Sequence, residues 1–358
     1  MSPSFKLTGR MTMARVGHTA TLLEDGTVLI AGGRNLLGVP LASCEIYDPR
    51  SGTFTPVAPM NTARDSHAAT LLPGGGVLIA GGETLGGKVL KSTEIYDPVS
   101  RRFVPGPTMT HARVNHTATM LPDCRILIAG GIGADDEPLA QAKIFDFRSR
   151  TFTPVADMCV ARANHTATPL GNGKVLIVGG ESLSGTSAGP QNNGAAAPGK
   201  ASPPGAELFD SATRTFTPCS GQIPGRNFHT ATPLPDGSVL IAGSVSVNGE
   251  VLEEAFTYDP ATDSFKATTA GMIHPRANHA ATFLPDDGVL LSGGFNQSGL
   301  LRSAETYNPA ADRFQHVGDM VVERNFHTAT LLKDGRVLIV GGEDARGRAL
   351  DSAELYQG

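Results

Sequence analysis

An arginine and a histidine three residues apart recur seven times: Arg15/His18, Arg64/His67, Arg113/His116, Arg162/His165, Arg226/His229, Arg276/His279 and Arg324/His327. Imidazoles serve as metal ligands or acid–base groups, and guanidinium forks bind carboxylate or phosphate. A metal would need its ligands within about 2 Å of one ion. Histidines spread over a regular repeat diverge too widely for that, so no metal is expected. A role required seven times is that of a joint, with each imidazole bridging two backbone groups between neighbouring units.

The arginines have a matching column of carboxylates. Glu45, Glu94, Glu207, Glu305 and Glu354 each lie about 30–45 residues after an arginine, but Lys143 and Phe256 fill the same place in two repeats. A buried Arg–Glu pair makes a bidentate joint. Arg113 and Arg226 are then expected to lack a carboxylate, and a buried guanidinium without one either reaches water or holds an anion.

The elements that carry these residues follow from the period. The His-to-His steps are 49, 49, 49, 64, 50 and 48. After each His comes an alternating run such as Thr19-Ala20-Thr21-Leu22, which reads as a strand. A turn follows, often Asp-Gly (Asp25-Gly26, Asp236-Gly237, Asp334-Gly335), and then an apolar strand ending in paired glycines, Val28 to Gly33. A loop of eight or nine residues leads to a third strand, Cys44-Glu45-Ile46-Tyr47, closed by Asp48-Pro49. The fourth strand carries Thr53-Phe54-Thr55-Pro56. Four strands repeated about every 49 residues make one blade of a β-propeller. The expected fold is all-β, with seven four-stranded antiparallel blades in a single domain over residues 1–358.

The glycine pairs and the aromatic on each third strand resemble the kelch motif, seven times over the whole chain. The resemblance departs at one column. Kelch repeats place Trp on the outer strand, and this chain has no Trp; Phe5, Phe54, Phe103, Phe152, Phe216, Phe265 and Phe314 stand there. The apolar anchor is kept and the indole donor is lost. The repeats are also similar to those of galactose oxidase-type copper enzymes, whose chemistry implies a Cys-crosslinked Tyr, a second Tyr and His ligands. All five Tyr (47, 96, 258, 307 and 356) belong to the third-strand column, so that activity and its copper are not expected, and no cofactor is.

Both ends of the chain fit one closure. The spacing Phe5–Met11–Arg15 equals Phe54–Met60–Arg64, so residues 4–8 read as an outer strand with no blade before it. The last repeat ends at its third strand, Glu354-Leu355-Tyr356. The N-terminal strand should complete the last blade and close the ring.

Shared residues hold the scaffold, so specificity belongs to deviations on the loop-rich face around the channel mouth. Blade 3 has Lys143, the acidic run Asp135-Asp136-Glu137 and His111. Blade 4 has a Gly/Ala/Ser/Pro insertion over 182–204, read as a flexible flap. Blade 5 has Gly243-Ser244 in place of the glycine pair, with Phe256 and Phe228. The candidate ligand-binding residues are Arg113, Arg162, Arg226, Asn115, Asn164, Asn227 and Lys143, a set suited to a carboxylate, phosphate or sugar. Candidate acid–base groups are Glu83, Glu181 and Glu343, which follow glycine pairs, and His111. His274 resembles His111 in position, while His316 on an outer strand has no evident role.

Composition excludes other classes. Net charge is −5 and no Lys/Arg block exists, which argues against nucleic acid. No apolar run approaches the roughly 20 residues of a membrane-spanning helix. No signal peptide is recognisable, so the chain is expected to be cytoplasmic as written or exported with its leader removed. The four Cys have no CxxC spacing. The expected function is a monomeric kelch-type binding module presenting its channel mouth to a protein, glycan or small anionic ligand. The alternative is a non-redox isomerase or lyase acting on a carboxylated sugar or small metabolite, with a mouth Glu as base and an Arg holding the carboxylate.

Overall fold

A computed structural model describes residues 3–181, 205–246, 248–286 and 288–358. The expected insertion at 182–204 lies outside the described residues. Seven four-stranded antiparallel sheets are present. In blade 1 the strands are Thr19–Leu22, Val28–Ala31, Cys44–Asp48 and Thr53–Val57, paired in that order. Each inner strand touches the inner strand of the next blade, and the ring closes where Thr19–Leu22 meets Thr328–Leu331.

The blades are apolar on both faces, so the core lies between sheets. In blade 1, Leu29 and Ala31 pack with Val77 and Ile79 of blade 2. Val28 and Ile30 face the other way, onto Leu338 and Val340 of blade 7. This is why the second strands are continuously apolar instead of alternating. Each third-strand aromatic meets the outer-strand Phe beside it, as in Tyr47–Phe54 with ring centroids 4.8 Å apart. The Phe column therefore replaces the kelch Trp by ring packing alone.

The closure is as expected. Ser4–Leu7 pairs with Ala353–Gln357 in the register Ser4↔Gln357, Phe5↔Tyr356, Lys6↔Leu355 and Leu7↔Glu354. The Thr8 and Met11 amides extend the contact by donating to Ala353 O and Asp351 O.

The glycine pairs bring blades into contact. Gly32 and Gly33 have φ of 62° and 87°, and a Cβ on Gly32 would lie 2.5 Å from Arg64 O of the next joint. Only bare backbone permits that approach. In blade 5, Ser244 has no positive φ, and the hairpin continues past it through Ser244↔Leu252 and Val245↔Val251. Two loops read as irregular from sequence are short hairpins: Glu83–Thr84 with Lys88–Val89, and Phe295–Asn296 with Gly299–Leu300.

Candidate functional site

The histidines form joints, but with a different partner from the one expected. Six of the seven imidazoles reach a hydroxyl of the preceding blade, not two backbone groups. His18 Nε2 lies 3.0 Å from Thr328 Oγ1, and Thr19 Oγ1 lies 2.9 Å from His67 Nε2. The same contact joins Thr117 to His165, Thr166 to His229 and Thr230 to His279. Two blades have Ala in the threonine position, Ala68 and Ala280. His327 takes Ser292 Oγ instead at 3.2 Å, whereas both His116 nitrogens are buried without a hydrogen-bond partner. Burial holds every one of these imidazoles well below its ordinary pKa, with His67, His165 and His327 at about 3.

The arginines are also joint residues. Arg15, Arg64, Arg162, Arg276 and Arg324 pair with Glu45, Glu94, Glu207, Glu305 and Glu354 at 2.6–3.0 Å. Arg113 and Arg226 have no carboxylate partner, as the Lys143 and Phe256 substitutions imply. Arg226 instead lays its guanidinium over the Phe256 ring, 4.6 Å from the centroid, and its Nε donates to Pro224 O. Arg113, Arg162 and Arg226 are at most 1% exposed, so none of them lines the channel mouth. Lys143 is likewise buried, at the blade 3 joint.

The mouth is built by two columns. The residue two after each arginine has a left-handed backbone: Gly17, Ser66, Asn115, Asn164, Phe228, Asn278 and Phe326 all have φ between 50° and 67°. Their amides stitch neighbouring blades, with Ser66 N–H on Gly17 O, Asn115 on Ser66 O, Asn164 on Asn115 O and Asn278 on Phe228 O. Asn suits this conformation, and a bulky Phe does not. The residue one after each arginine bridges the residue after the glycine pair: Val16↔Arg34, Asp65↔Glu83, Val114↔Ile132, Ala163↔Glu181, Asn227↔Val245, Ala277↔Phe295 and Asn325↔Glu343.

These columns divide the mouth into unlike halves. Around blades 7, 1 and 2 stand Glu343, Arg34, Asp65 and Glu83, with Arg34 Nη1 3.4 Å from Asp65 Oδ2. Burial pushes the carboxyls of Asp65, Glu83 and Glu343 up, and Asp65 adds to the rise at Glu83. Glu181 in blade 4 accepts from Asn164 Nδ2 at 2.7 Å. Around blades 5 and 6, Phe228 and Phe295 pack on Val245, Val251 and Ala277. Phe326 stands half-buried in the same left-handed column.

The sequence-derived candidates therefore separate. Asn115, Asn164, Glu83, Glu181 and Glu343 belong to the mouth. Asn227 is buried at its rim with Oδ1 unpartnered. His111 is exposed on the connection entering blade 3, its Nδ1 3.0 Å from Thr110 Oγ1, at the radius of the third strand and away from the glutamates. Asp65 and Phe326 were not found from the sequence; reading the two residues between Arg and His as separate columns would have shown them. His316 does have a setting: with His274, Arg302, Asp319 and Glu323 it lines an open cavity of about 470 Å³ at blade 6, the two rings 6.2 Å apart.

Among the described residues, no three His, Cys, Asp or Glu side chains converge to hold an ion. The tyrosines do not fit a copper-radical site. Tyr258 and Tyr307 donate to Asp263 and Asp312 in the turns before the outer strands, on the face opposite the mouth. Tyr47 is engaged by Thr8.

Residues 14–61, which are blade 1 with the segment entering it, match the model for the Kelch motif. The same columns recur in the six other blades, and the chain folds as a seven-bladed β-propeller of which one blade matches the Kelch motif. Among solved structures it is similar to a fungal alcohol oxidase of the AA5 family in complex with copper. That likeness has a TM-score of 0.75 at 15% identity and covers 100% of this chain and 76% of the other. At such identity the likeness is one of fold. No curated protein matches the chain.

Proposed function

We propose that this propeller is a recognition module whose mouth binds a cationic group carried on an apolar arm, such as the alkylammonium or guanidinium of a basic protein segment. One observation carries the reading: carboxylates and phenylalanines share the mouth, while the joint guanidinium groups are turned away from it. Among the described residues, Glu83, Glu181, Glu343 and Asp65 outnumber the one mouth cation, Arg34, and Arg34 is tied to Asp65. Phe228, Phe295 and Phe326 supply faces on which a cation gains about 0.5–2 kcal/mol. Phe228 and Phe326 also sit at φ of 58° and 50°. Backbone strain of this kind, of order 1–3 kcal/mol, is commonly kept at binding surfaces.

The anionic-ligand expectation loses its support at the mouth, because Arg113, Arg162 and Arg226 are not there. The isomerase or lyase alternative needs a free guanidinium facing a glutamate, and no described residue provides one. The test is a calorimetric titration of the full chain with Lys- and Arg-containing peptides, set against dicarboxylates and uronates. Binding of the basic peptides, weakened at least tenfold by Glu83→Gln or Phe295→Ala, supports the reading. Binding of the anions alone refutes it.

A further inference from the structure

Four of the five paired joints share one arrangement, and blade 4, with Gly205 in place of the serine, keeps the Arg162–Glu207 contact and the Cys159 amide on Glu207. In blade 1, Arg15 Nη1 donates to Gly32 O and Ser43 O, and Nη2 to Ser43 Oγ and Glu45 Oε1. Glu45 also accepts the Thr12 and Met13 amides of the connection entering the blade. Blade 2 does the same through Arg64, Glu94, Asn61 and Thr62. Blade 7 repeats it through Arg324, Glu354, Val321 and Val322. The carboxylate thus neutralises a buried guanidinium and fastens the connection at once.

Blade 3 keeps the donors and lacks the acceptor. Arg113 is 0% exposed and its Nη1 holds the usual carbonyls, Gly130 O at 2.7 Å and Gln141 O at 3.1 Å. Its Nη2, the nitrogen that meets the carboxylate in every paired joint, has no partner. Lys143 stands in the glutamate position, 7% exposed, and adds a second cation. No described acceptor takes the Thr110 and His111 amides, which correspond to those that Glu45 holds. Gln141 stands where four of the paired joints have serine, and its buried Oε1 is unpartnered. That one amide oxygen leaves the Arg113 Nη2 unpartnered. Blade 5, the other exception, lays Arg226 over Phe256 and has the Glu254 carboxylate close enough to favour the charge. Blade 3 has no aromatic in that place, and an unpaired buried charge is strongly unfavourable.

We propose that the blade 3 joint binds a small monovalent anion, chloride or a formate-sized carboxylate, held between Arg113 Nη2, Lys143 and the Thr110 and His111 amides. The anion stands where the glutamate carboxylate stands in the five paired blades. It is a site separate from the mouth, and it holds whether or not the mouth binds cations.

The test uses the full chain and chloride itself. The ³⁵Cl resonance should broaden with the wild-type protein, and bromide or formate should reverse the broadening by competition. Lys143→Glu rebuilds the standard joint and should abolish it. On replacing chloride by the bulkier gluconate at constant ionic strength, wild-type Tm should fall by several degrees, while Lys143→Glu should melt higher than wild type and ignore the exchange. No excess broadening in the wild type, or equal broadening in Lys143→Glu, overturns the proposal. Should that variant fail to fold, wild-type crystals soaked in bromide decide the matter: an anomalous peak between Arg113 Nη2 and Lys143 Nζ supports the site, and its absence overturns it.

Discussion

Seven buried neutral imidazoles make stability depend steeply on mild acid. His18, His67, His116, His165, His229, His279 and His327 are all held well below their ordinary pKa by burial, with the neighbouring arginine as a second cause at each. The folded chain does not take their protons near pH 6, whereas the unfolded chain does so below about 6.5. A depressed His pKa therefore gives stability that is fully present above about pH 6.5. That stability is lost as pH falls, until the folded values near 3 are reached. Between pH 7.5 and 5.5 each group costs about 1.4 kcal/mol, so seven together cost about 9–10 kcal/mol. A whole domain has only about 5–15 kcal/mol. Asp65, Glu83 and Glu343, pushed up by burial, act in the opposite sense, but they are three against seven. Urea unfolding followed by far-UV circular dichroism at pH 7.5, 6.5 and 5.5 should show this loss, with several protons taken up on unfolding. His116→Gln should reduce the uptake by one. A loss below about 2 kcal/mol over that interval would mean that the folded protein accepts the protons, and the joint as described would be wrong.

Three further outcomes test the scaffold. Deleting residues 1–9 removes the Ser4–Leu7 ladder and the Phe5–Tyr356 ring contact at 5.0 Å, which should cost about 4–7 kcal/mol and leave an edge prone to self-association; unchanged urea stability would contradict the closure. Arg276→Met strands Glu305, its partner at 2.6 Å, and should cost about 3–5 kcal/mol. Arg226→Met strands no carboxylate and should stay within about 1 kcal/mol of wild type, or gain, in the same titration.

The scaffold was legible because each of its devices is written seven times. The strand pattern, the five Arg–Glu pairs and the completion of the last blade by Phe5 all follow from columns. Even the missing carboxylates at Arg113 and Arg226 could be read from Lys143 and Phe256. The mouth was less legible, since spacing gives a residue's position along a strand and not the direction of a long side chain. Arg162 and Asn164 are two residues apart, yet one guanidinium is buried on Glu207 while the other side chain reaches Glu181. The histidine partner was missed for a related reason: the hydroxyl lies in the preceding blade, 48 or 49 residues away in three of the joints. The pairing of His274 with His316 depends on how a connection lies over an outer strand, which no local pattern encodes.

The strand at Ser4–Leu7 finds its partner only in Ala353–Gln357, about 350 residues later. On the ribosome, that first segment emerges long before anything exists for it to pair with, and six complete blades can assemble while it waits. Closing the circle is then the final event and the one spanning the greatest loop, so it should set the slowest step of maturation. Until it happens, the unpaired rim of the seventh blade is where a chaperone would find the nascent protein, or where two unfinished chains would find each other.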